Sequence, residues 1–97
     1  MKYNLNEFLD EINSLICEVE QACIERKKGF IGDGNVQQLE AIQKELEKIK
    51  EEVNSGSLPP KEKRYTVFSR YIIDEWDLKA PLSIKLCCLA DKYKRKI

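Results

Sequence analysis

RYTVFSRYIIDEWD, residues 64–77, is the stretch on which the reading of the fold turns. It holds four of the chain's eight aromatic residues, Tyr65, Phe68, Tyr71 and Trp76, together with Val67, Ile72 and Ile73. On a helical wheel Tyr65, Phe68, Ile72 and Trp76 form one stripe, while Val67, Tyr71 and Ile73 fall off it. Apolar residues on several sides predict a central helix over residues 60–76, touching neighbours on more than one face. Leu58-Pro59-Pro60 starts it, because proline fits a first helical turn and not an interior one.

Outward from that stretch, three segments carry a single apolar stripe each. Asn4 is an N-cap candidate with Glu7 three residues on, and Tyr3 and Phe8 stand at the staple positions. From there Leu5, Phe8, Leu9, Ile12, Leu15, Ile16, Val19, Ala22 and Cys23 recur at helical spacing. That helix, over residues 5–28, ends in Arg26, Lys27 and Lys28, where the dipole favours cations, and Gly29 is its stop. GFIGDG, residues 29–34, has three glycines in six and reads as a turn between helices. It lacks the Lys-Ser/Thr of a phosphate-binding loop and any strand before it. Phe30 and Ile31 are expected to tuck against the bundle end; exposed, they would form an adhesive tip for a partner.

Asn35 and Gln38 make a second capping box. The helix it opens, residues 36–54, places Leu39, Ile42, Leu46, Ile49 and Val53 at alternating spacings of three and four, a narrow coiled-coil-like seam. Residues 54–57, NSGS, break it. After a turn at residues 77–81, DLKAP, a last helix over residues 81–95 carries Leu82, Leu86, Leu89 and Tyr93, with Lys92, Lys94, Arg95 and Lys96 in its final turns. Short connections place neighbouring helices antiparallel. The expectation is a single domain over residues 1–97: an all-α, antiparallel, up-down-up-down four-helix bundle, monomeric when free.

With 97 residues the chain is long enough to bury roughly 60–70% of its unfolded surface. Hydrophobic residues make up 42% and charged residues 35%, too apolar for disorder. No apolar run approaches a membrane span, and the first residues, MKYNLNEFLDE, are polar where a signal peptide would be apolar. A cytoplasmic protein without membrane contact is expected. Net charge is zero, yet residues 1–58 hold 7 basic against 12 acidic side chains and residues 59–97 hold 10 against 5. The halves either attract each other within the fold or present separate faces.

The chain has no histidine. That removes the imidazole base, the Cys-His and Ser-His-Asp constellations and the Glu-x-x-His of di-iron bundles. No carboxylate pair is marked as convergent, so no catalytic residue, cofactor or metal ligand is assigned and an enzyme is not expected. None of the spacings among Cys17, Cys23, Cys87 and Cys88 is C-x-x-C. These read as reduced thiols, with Cys17 and Cys23 protected and at most one of the adjacent Cys87 and Cys88 exposed.

Three surfaces are candidates for binding. Glu11, Glu18 and Glu25 repeat every seven residues along one flank of the first helix, as a partner-binding stripe or a solvated face. Asp74, Glu75 and Asp77 surround Trp76 at a helix C-terminus, where carboxylates oppose the dipole. Either Asp77 caps the last helix, or Arg26 to Lys28 arrive to compensate, or the cluster docks a basic partner with Trp76 as its aromatic anchor. Third, Lys61, Lys63 and Arg64 lie beside Lys92, Lys94, Arg95 and Lys96. Glu51, Glu52 and Glu62 at the same end, and the want of a recognition helix or stacking platform, argue against nucleic acid there.

A helical bundle of under a hundred residues with charged faces, carrying LPPKEKRY and then RYIIDEWD, resembles the small helical immunity proteins of bacterial toxin-immunity systems, including contact-dependent growth inhibition. The resemblance covers the whole chain in size and helical style. It implies a non-catalytic protein that binds a cognate toxin domain and blocks its active site or an exosite. It transfers no site residues, and zero net charge departs from the strongly acidic character common in immunity proteins against nucleases. A small nucleic-acid-binding regulator using the basic end is the alternative.

Overall fold

In the computed structural model, residues 4–32, 34–64 and 66–97 are described. The expectations placed on Tyr3, Asp33 and Tyr65 fall outside them. The described chain is all-helical: α1 Leu5–Lys27, α2 Val36–Ser55, a 3-10 turn Lys61–Lys63, α3 Val67–Glu75 and α4 Pro81–Arg95. No helix among the described residues is long and apolar enough to cross a membrane.

The local signals at both ends of the first two helices act as their chemistry predicts. Asn4 Oδ1 accepts the Glu7 N–H at 2.9 Å, satisfying a donor that the first turn leaves without an intrahelical partner. At α2 the box is reciprocal: Asn35 Oδ1 accepts from the Gln38 N–H at 2.8 Å, and Gln38 Oε1 from the Asn35 N–H at 3.3 Å. Gly29 and Gly56 end these helices with positive φ, and the next N–H reaches back five residues in each case, Phe30 to the Glu25 carbonyl and Ser57 to that of Glu52. All five seam residues of α2 are buried, against Phe8, Ile12, Leu15, Val19 and Cys23 of α1.

The predicted helix over residues 60–76 is not continuous. Pro60 stays extended at φ −56° and ψ 148°, a single 3-10 turn follows, and Arg64 is extended again before α3 begins at Val67. Arg64 leaves the helical path because its guanidinium is held elsewhere. Nε donates to the Pro59 carbonyl at 2.8 Å, and Nη1 to the carbonyls of Tyr93 at 3.0 Å and Ile97 at 2.8 Å. The nine-residue α3 then needs a start of its own, and Thr66 makes no side-chain cap. Glu45 of α2 supplies it: its carboxylate accepts the N–H of Val67 at 2.9 Å and of Phe68 at 3.0 Å. A charged acceptor on the positive end of the dipole is the strong form of this bond.

Nor is this segment the centre of the molecule. The most extensive packing joins α1 to α2; α3 packs beside α2 and α4, and α1 and α3 stand at diagonal corners. Phe68, Ile72 and, just past the helix, Trp76 are buried, whereas Val67 and Ile73 are exposed and Tyr71 is half-buried. The off-stripe residues that predicted a two-sided helix therefore mostly face solvent, and α3 has one buried stripe like the rest.

Side-chain links fix two of the helix directions. Glu18 pairs with Lys85 and Glu11 with Lys92, so number falls on α1 as it rises on α4. Glu45 meets the start of α3 and Gln38 its end, so α2 and α3 also run oppositely. The molecule measures 39 × 25 × 22 Å, its long axis matching the roughly 34 Å of a 23-residue α1. Gly34, before α2, meets Trp76, after α3, at one end; the 3-10 turn and the end of α4 meet at the other.

Candidate functional site

The two candidate acidic clusters are placed very differently. Glu11 and Glu18 of the α1 stripe face α4, with Lys92 Nζ at 2.7 Å from Glu11 Oε1 and Lys85 Nζ at 2.7 Å from Glu18 Oε1. Their charge is spent within the fold, across a groove of about 300 Å³ between α1 and α4. Glu25 alone of the three is exposed and sits near the loop end.

At the C-terminus of α3, Trp76 is not an exposed anchor. It is 6% accessible and belongs to the core. Its ring lies over Gly34, so closely that a Cβ there would come within 2.5 Å of the ring carbon Cζ2, and Gly34 has φ +79°. Glycine is required at this position both by the conformation and by the approach of the indole. The indole N–H donates to Gln38 Oε1 at 3.2 Å, and the Gln38 amide nitrogen donates to the Glu75 carboxylate. Gln38 thus ties the start of α2 to the end of α3.

Asp77 does not cap α4, whose N-cap is Ala80 without a side-chain bond. It closes the preceding turn instead, Oδ1 accepting the Lys79 N–H at 3.0 Å and its carbonyl the Ala80 N–H at 3.1 Å. Asp74, Glu75 and Asp77 remain exposed. At the same end, Arg26 packs its guanidinium where a Cβ on Gly32 would lie, and Lys27 pairs with Glu40 at 3.3 Å.

Between these charges stand apolar side chains that the fold leaves in water. Ile31 is 99% accessible and Phe30 64%, so the pair does not tuck under the bundle end as predicted. In this loop Gly32 lies against Arg26 and Gly34 against Trp76, while the side chains of Phe30 and Ile31 stay in water. Leu78, on the neighbouring connection, is 55% accessible and was not singled out by the sequence. Its one signal is position, an isolated leucine in a turn with no helical partner.

The opposite end is closed by polar contacts. Besides its three carbonyl bonds, the Arg64 guanidinium lies 5.5 Å from the centre of the Tyr93 ring. The Tyr93 hydroxyl donates to Glu52 Oε1 at 3.1 Å. Burial, and then the charge and hydrogen bond of Glu52, push Tyr93 up to about 12. Lys61 Nζ donates to the Arg95 carbonyl at 3.4 Å. Two of the cations proposed for a basic binding face therefore complete the C-terminus of α4.

Among the cysteines, Cys23 is buried and Cys87 half-buried, but Cys17 is exposed, as is Cys88. The expectation for Cys17 fails because it lies on the wheel opposite Phe8, Ile12 and Val19, and position prevails over residue type. Burial first, and adjacent Cys88 second, push the Cys87 thiol above its ordinary value. Among the described residues, no group of three or more His, Cys, Asp or Glu is placed to hold a metal ion. No protein family, curated protein or solved structure matches the chain.

Proposed function

We propose that this protein is a non-catalytic binding module for another protein, and that its contact surface is the loop end formed by residues 28–32, Gly34 and residues 74–79. The observation that carries the reading is the exposure of Phe30 and Ile31 on the connection after α1, and of Leu78, with Asp74, Glu75 and Asp77, at the end of α3. Large apolar side chains held in water at one end, with charged residues around them, have the composition of an interface core and its rim. Glu11, Glu18 and Trp76 drop out of the partner-binding set, since the first two pair with lysines and the third is buried. Glu25, Asp74, Glu75 and Asp77 stay in it.

The finer reading is an immunity protein in the cytoplasm that neutralises a toxin domain, as the sequence resemblance implies. The test is direct binding to a toxin domain encoded by the adjacent upstream reading frame. Ile31→Glu should abolish binding, and Asp74→Lys with Glu75→Lys should slow association. If Ile31→Glu binds normally while Lys61→Glu with Lys63→Glu abolishes binding, the surface is the basic end and the reading is wrong.

A further inference from the structure

We draw no further inference here: the strongest candidate, the cavity of about 410 Å³ between α1 and the start of α4, is lined by Glu18 and Glu25 as well as by Arg26, and the buried Ser83 hydroxyl, without a hydrogen-bond partner among the described residues, does not line it, so nothing beyond a helix N-terminus points to a ligand there.

Discussion

The two ends of this bundle solve opposite problems. At the end where the 3-10 turn meets the last turn of α4, polar groups are turned inward: Arg64 serves three carbonyls and a ring, and Glu52 accepts from Tyr93. At the other end Trp76 and Gln38 lock the connections, and then Phe30, Ile31 and Leu78 are turned outward. A charged end that looked like a binding face is mostly self-satisfied, and a glycine-rich turn that looked like punctuation holds Phe30 and Ile31 in water. Charge in a sequence locates cations and anions; only packing tells whether they are used internally.

The comparison breaks first at Trp76. Its replacement by alanine should lower stability by about 3–5 kcal/mol, as large-to-small changes in a core do, and free the 28–35 connection. Urea unfolding measures it; a loss under about 1 kcal/mol would mean that the indole is not what holds the loop end.

Arg64→Ala should cost about 2–3 kcal/mol, because several charge-assisted bonds to carbonyls go together and α4 loses its C-terminal cation. Arg64→Lys should recover only part, since an ammonium cannot serve three carbonyls in the fork geometry and stack on the Tyr93 ring. Full recovery would show that charge alone matters at this end.

Tyr93 gives that end a pH signature. Its hydroxyl is raised from about 10 in the unfolded chain to about 12 in the fold. The folded state therefore holds this proton more tightly, the contribution is fully present below pH 10, and it is lost as pH climbs towards 12. Tyr93→Phe should show a shallower loss of stability over that window than the wild type. Parallel curves would contradict the assignment.

Glu45→Ala should cost about 1 kcal/mol, within the range for loss of an N-cap, by leaving the first N–H groups of α3 without their acceptor. Hydrogen exchange at Val67 and Phe68 reads it directly, and unchanged protection there would exclude the cap.

Much of the fold is legible in the residues. The spacing of Phe8, Ile12, Leu15 and Val19, the seam from Leu39 to Val53, and the caps at Asn4 and Asn35 depend on local periodicity and local hydrogen bonds, which sequence records. The break between Pro60 and Val67 is not legible, because it depends on Arg64 reaching carbonyls about thirty residues away, and α3 starts on a carboxylate donated by α2. For the site, Asp74, Glu75 and Asp77 lie at the end expected of them, but Trp76 and Phe30 with Ile31 exchange roles. Aromaticity marked Trp76 as an anchor, while Gly34, which admits the indole, and Gln38, which bonds it, show their effect only in three dimensions.

Equilibrium urea unfolding of Phe30→Ser/Ile31→Ser beside Arg64→Ala, at pH 7, tests the difference between the ends most directly. The tip variant should match the wild type within about 0.5 kcal/mol, as exposed substitutions do, with Arg64→Ala well below both. A tip variant destabilised by 2 kcal/mol or more, with Arg64→Ala near wild type, would mean that the glycine-rich turn closes the core and the basic end is the one left open for a partner.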